Sequence, residues 1–241
     1  MRSQFAVTDE VNLERYAVEQ LLAIHPDPRI DWSVLPIIAV YEHAMHSGDL
    51  ELAENSFDYL VANHSRLETL VDPSGPSGDA TMLVSHITAP SDQPLVDWPA
   101  GMQDRYVFTN FSSIASSWVY YGLTTLAKIG ALIDRPSASI EMLADTASAL
   151  KKGINALQFN GTAVCDGLCA DAQRSPGGNH TAFHSTIYAL AFGALDDANI
   201  ESAWMYTRSR IDPPFAASPP SASSPSASHP ALAPTRIPAT R

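Results

Sequence analysis

Residues 137–157, "SASIEMLADTASALKKGINAL", place Ile140, Leu143, Ala147, Leu150, Ile154 and Leu157 at steps of 3, 4, 3, 4 and 3. An α-helix repeats every 3.6 residues, so this spacing puts all six on one face, while a strand would need alternation. Residues 112–133 repeat the pattern with Ile114, Trp118, Tyr121, Leu126, Ile129 and Leu132. Between them "DRPSAS" supplies a Pro stop and a Ser cap. Two helices joined by so short a turn must lie antiparallel, so the chain is built from helical hairpins.

A second hairpin lies upstream. Residues 33–46 read as a helix with Pro36 in its first turn, where the missing N–H costs little. Gly48 then suits the position just past the helix, and Asp49 the N-cap of a helix over 50–62 carrying Leu50, Ala53, Phe57 and Leu60 on one face. Further helices are expected over 9–24, 181–194 and 197–208, about seven in all, with extended stretches at 80–96 and 161–170. The hairpins share no sequence pattern and their loops are unequal, which argues against a solenoid of repeats. From Asp212 onward Pro, Ser and Ala dominate and no acid follows. Residues 212–241 therefore read as a disordered tail behind a folded region over 5–210, and their abrupt start suggests a spliced or frame-shifted end.

Composition removes several function classes. The formal charge is −12, which disfavours nucleic acid or an anionic membrane as partner. No apolar run reaches the length of a membrane span, and residues 1–16 show no hydrophobic signal core. There is no Gly-rich phosphate loop and no nucleophile elbow. Cys165 and Cys169 stand in "VCDGLCAD" and read as a loop disulfide or two free thiols. His180 and His184 follow at a spacing that zinc tolerates, but the ligand set is too weak for a metal to be expected, and no cofactor is implied. Four glycosylation sequons begin at Asn63, Asn110, Asn160 and Asn179.

The chemistry-bearing stretch is "PLVDWPAGMQDRYVFTNFSS", residues 94–113. Asp97 and Trp98 form an acid–aromatic pair, as do Asp31 and Trp32 in "IDWS". A pyranose has apolar C–H faces and hydroxylated edges. An aromatic ring covers the face, and a carboxylate accepts from the hydroxyls. Trp32 also fits a role packing at a helix start, while Asp104, Arg105 and Tyr106 fit either pocket groups or a local ion pair beside a buried ring. His180 and His184, four apart near a helix start, are candidates for one pocket-facing side. Trp118, Tyr120, Tyr121, Trp204 and Tyr206 lie inside helices and read as packing.

The order of "RIDWSVLPIIAVYEHAMHSGDLELAENSFDYL", "LVDWPAGMQDRYVFTN" and "NHTAFHSTIYALAFGAL" resembles the catalytic region of α-L-rhamnosidases of glycoside hydrolase family 78, over about residues 5–210. The resemblance implies an all-α fold, an incomplete (α/α)6 six-hairpin barrel, in which loops at one end form a sugar pocket. It implies a carbohydrate substrate, a rhamnosyl glycoside, with Asp31, Trp32, Asp97, Trp98, Asp104, Tyr106, His180 and His184 as substrate-binding candidates. Inverting hydrolysis needs two flanking carboxyl groups, one donating a proton and one activating water. The family's acid motif, of the type Asp-x-Pro-x-Arg-x-Glu-Arg, does not occur in residues 1–29. The Glu expected after the last hairpins is replaced by the Pro/Ser tail. Catalytic residues are therefore not assigned, and the chain is expected to be truncated and inactive as given. The alternative is a non-catalytic sugar-binding or helical scaffold protein.

Overall fold

One helix organises the molecule. Ser113–Leu132 carries small residues on several faces, and neighbours approach it from every side. In the computed structural model, which describes residues 11–23, 29–72, 82–85, 93–97, 100–169 and 179–211, seven α-helices are present among the described residues. They are α1 (Val11–Ala23), α2 (Ile30–Ser47), α3 (Glu51–Glu68), α4 (Ser113–Leu132), α5 (Ser137–Gly153), α6 (Phe183–Phe192) and α7 (Asp197–Ile211). Helices α2/α3, α4/α5 and α6/α7 pair as hairpins, and α4 also packs against α2, α3 and α6. The fold is all-α, a partial helical toroid of hairpins. The expected tail over 212–241 lies outside the described residues, as do the first residues expected in α1.

Close approach to α4 depends on its glycines. A Cβ on Gly122 would stand 2.9 Å from His64 Nε2 and 3.2 Å from Val34 Cγ2. Helices α2 to α5 share one apolar core that includes Ile37, Leu60, Leu123, Leu126 and Leu150. A second cluster, with Leu83, Ile154, Val164, Leu168, Ala189 and Leu195, lies where the chain after α5 meets α6 and α7. Asn155 ties these parts together: its Nδ2 donates to the carbonyls of Lys151 and Ala194, and its Oδ1 accepts from Asp196 N–H and Asn199 Nδ2.

Several sequence expectations shift. Helix α2 begins at Ile30, so Pro36 lies inside it and not in its first turn. The chain winds earlier because Ser33 N–H already reaches Arg29 O at 3.1 Å and because Asp31 favours the positive N-terminal end. Gly48 takes the expected left-handed position, φ +72°, with its N–H on Ala44 O. Asp49 is not the N-cap of α3; Leu50 occupies that place. Asp49 still serves the helix end, since its Oδ1 accepts from Glu51 N–H at 3.0 Å while its other oxygen holds Arg15 at 2.8 Å. Helix α3 runs on to Glu68, six residues past the expected end. Pro136, rather than a Ser, precedes α5 at its cap. That helix passes into a π-turn over Ile154–Gln158, within the stretch read as regular helix. The extended readings reduce to the antiparallel pair β1 (Val71–Asp72) and β2 (Leu83–Val84) and an isolated bridge between Phe159 and Val164. The rest of 80–96 is described only at 82–85 and 93–97.

Candidate functional site

Asp166 is the structural centre of the site and has no solvent exposure. It sits between the two cysteines, which are joined as the disulfide Cys165–Cys169. Its Oδ1 accepts from Ala182 N–H at 2.8 Å and from Ser185 Oγ at 2.7 Å. Its Oδ2 accepts from Val107 N–H at 2.8 Å and lies 2.7 Å from His180 Nδ1. Four partners on two oxygens satisfy a buried carboxylate that would otherwise be expensive to hold. The result joins the 104–112 loop, the cystine loop and the start of α6.

That junction fixes a cleft of about 510 Å³ lined by Asp97, Met102, Asp104, Phe183, His184 and Arg210, among others. His184, in the first turn of α6, is 7% exposed, and its Nε2 lies 3.1 Å from Asp97 Oδ2. Its Nδ1 is buried and has no hydrogen-bond partner among the described residues. Asp104 accepts from Arg210 Nη2 at 2.6 and 2.8 Å on its two oxygens and from Phe183 N–H at 2.8 Å. Burial pushes the Asp104 carboxyl up, but the Phe183 N–H and the Arg210 guanidinium outweigh it and hold the group below the usual carboxylate range. Asp104 and Arg105 both adopt left-handed backbone, φ +48° and +57°. Such non-glycine residues cost of order 1 kcal/mol each unless their surroundings impose the shape. The three hydrogen bonds on Asp104 impose it.

The remaining candidates divide. Asp31 is buried in the first turn of α2, where its Oδ1 accepts from Leu95 N–H at 3.3 Å and so holds the segment leading to Asp97. Tyr188 stands close by. Burial first, then the charges of Asp31 and Asp97, push its phenol up. Trp32 is half-buried with the Arg29 guanidinium 5.3 Å from its ring centre. Tyr106 is 6% exposed; its hydroxyl meets Ser112 Oγ at 2.7 Å and its ring packs edge-on against Phe108. Buried there, with its hydroxyl on Ser112 and the Asp166 carbonyl, Tyr106 is a support under the loop and is not among the residues that line the cleft. Trp98 lies outside the described residues. His180 and His184 do not share a helix face, because α6 starts only at Phe183; one goes to Asp166, the other to Asp97. Arg105 is exposed, and the partner of Asp104 is Arg210, far along the chain. Trp118 packs on Phe192 at 4.7 Å, as expected of a core ring, whereas Trp204 is 54% exposed.

Sequence reasoning missed Asp166 and Arg210. For Asp166 the signal was an acid enclosed by a close pair of cysteines. Arg210 gave none, since only tertiary structure brings the last turn of α7 to residue 104.

No protein-family model matches the chain, and no curated protein matches it. Among solved structures it is similar to a GH78-family rhamnosidase from Bacillus sp. GL1, with a TM-score of 0.58 at 17% identity over 73% of this chain. It is also similar to a rhamnosidase from Klebsiella oxytoca with rhamnose bound, TM-score 0.56 at 15% identity over 78% of this chain. What the chain shares with them is the fold. It spans 17% of the first protein and 31% of the second. The sequence resemblance to rhamnosidases is thus matched by a distant structural one, and the helical toroid is a glycoside-hydrolase-like fold. Among the described residues no helix is long and apolar enough to cross a membrane.

Proposed function

We propose that this chain is α-L-rhamnosidase-like and that its cleft binds a terminal α-L-rhamnosyl group. The observation that carries the reading is the convergence of Asp97, Asp104 and His184 on one open cleft beside the exposed apolar side chain of Met102. Carboxylates and an imidazole suit hydroxyl edges, and apolar atoms suit the C–H face. The likeness in fold to a rhamnose-bound rhamnosidase supports the choice of sugar. Trp98, next to Asp97 in sequence, is proposed as the stacking ring.

In the full reaction two carboxyl groups act across the scissile bond with inversion, one as acid and one as base. Asp104 is poorly suited to the acid role, because a carboxyl held ionised has no proton to donate. It is a hydroxyl acceptor in this reading, and Asp97 with His184 orients a second edge. The same observation favours a second reading, a sugar-binding protein without catalysis.

Titration of the full chain with L-rhamnose and with an aryl α-L-rhamnoside tests both. Saturable binding that is lost in Asp97→Asn and His184→Ala, with the fold intact by circular dichroism, is the expected outcome. Turnover of the aryl rhamnoside by this chain would establish a hydrolase, and binding without turnover is the outcome expected of it. Equal weak response to rhamnose, glucose and galactose, unaffected by either substitution, would remove the sugar assignment.

A further inference from the structure

The four sequons noted in the sequence are not equivalent once folded. Asn63 lies within α3 and its Nδ2 donates to Ser33 O at 3.4 Å. Asn110 is exposed, but the hydroxyl of Ser112 is wholly buried between Tyr106 and the Ala115 N–H. At the Asn179 site, the carbonyl and hydroxyl of Thr181 both accept from Tyr206. At Asn160-Gly161-Thr162, by contrast, all three residues are exposed. They form the tip of the short hairpin closed by the Phe159–Val164 bridge.

The conformation of that tip is specific. Asn160 Oδ1 accepts from Thr162 N–H at 3.0 Å and from Ala163 N–H at 2.9 Å. Gly161 sits at φ +91°, which a side chain would oppose. The carboxamide is thereby fixed through its oxygen, and no hydrogen bond among the described residues holds its Nδ2. An independent feature lies three residues past the tip: the cystine Cys165–Cys169. Disulfides persist in oxidising compartments, and the eukaryotic secretory lumen that forms them is also where Asn-x-Thr sequons are modified.

We propose that Asn160 is the acceptor for an N-linked glycan. The donor class is an oligosaccharide carried on a polyprenyl diphosphate. Asn160 Nδ2 bonds to the anomeric carbon and loses one proton, while the bond from that carbon to the diphosphate oxygen breaks and the diphosphate leaves with the electron pair. No redox change occurs. No residue of the turn lines the cleft, so the glycan leaves the proposed sugar site open, and the inference does not depend on what that site binds.

The test directs the full 241-residue chain into a yeast secretory pathway with a cleavable leader. Peptides are mapped without reduction from both the secreted and the microsomal protein. The peptide holding Asn160 is expected to carry a hexose ladder, and release by a peptide N-glycanase, an amidase that hydrolyses the glycosylated side-chain amide, in heavy-oxygen water to leave labelled Asp at 160. Asn160→Gln and Thr162→Ala should each abolish that glycopeptide, and Thr162→Ser should keep it. Because the microsomal chain is read before export, a folding defect in a variant does not obscure the result. An unmodified Asn160 in the microsomal wild-type chain overturns the proposal. So does a glycan mass that is unchanged in Asn160→Gln.

Discussion

His64 makes the stability of this fold depend on pH. It lies in α3, is 1% exposed, and its ring stands against Gly122 of α4. Burial pushes the imidazole down to about 4 from its ordinary 6.5, with the Val119 backbone opposing in part. The unfolded chain binds the proton more readily than the folded one, so the sign follows directly. The stability contribution is present in full above about pH 6.5 and is lost progressively as pH falls toward 4. Each pH unit of that gap corresponds to about 1.4 kcal/mol, so the loss approaches roughly 3 kcal/mol. Against a typical domain stability of about 5–15 kcal/mol this is a large fraction. Urea unfolding of the wild type and of His64→Gln, followed by helical circular dichroism from about pH 7 to pH 4, isolates the effect. The variant starts less stable through poorer packing but should lose roughly 3 kcal/mol less than the wild type across the window. Parallel curves for the two proteins would refute the reasoning, as would a His64 ring resonance in the folded protein that titrates near the ordinary value.

Two further substitutions probe packing and site. Gly153→Ala should lower stability by roughly 1–3 kcal/mol, read as a drop in Tm, because the new Cβ would fall well inside contact distance of the Met82 carbonyl oxygen. Arg210→Ala removes both hydrogen bonds that the guanidinium makes to Asp104, yet the pair is partly exposed, so Tm should fall little. Binding of L-rhamnose should weaken about fivefold, roughly 1 kcal/mol, by calorimetric titration.

The helices were legible because burial on one face leaves a 3.6-residue signature, as in α5, while in α4 the large apolar side chains keep that period although small residues bury its other faces too. Boundaries were less so. Pro36 reads as a first-turn residue by propensity, but Asp31 and Ser33 draw the helix back to Ile30, and tertiary packing accepts the proline inside it. Asp97 and His184 were visible as candidates because acids and imidazoles in polar segments near helix starts are few. Their pairing was not visible, because 87 positions separate them. The last helix reads from the sequence as 197–208. Helix α7 continues to Ile211, and that extra turn carries Arg210 to the cleft. Asp166 escaped notice because the flanking cysteines drew the reading toward redox and metals.

The strained Asp104–Arg105 turn also bears on the order in which the molecule assembles. Its clasp to Arg210 closes a loop with a sequence separation of 106, whereas each hairpin closes within a few residues. Local pairings repay their chain entropy early, and distant ones only after most of the framework exists. The cleft is therefore expected to form last and to open first, and amide hydrogen exchange at Phe183 and Val107 reads the order. Changes at Asp104 or Arg210 should consequently act on the rate of unfolding and leave the rate of folding almost untouched, which the two arms of a chevron plot would read.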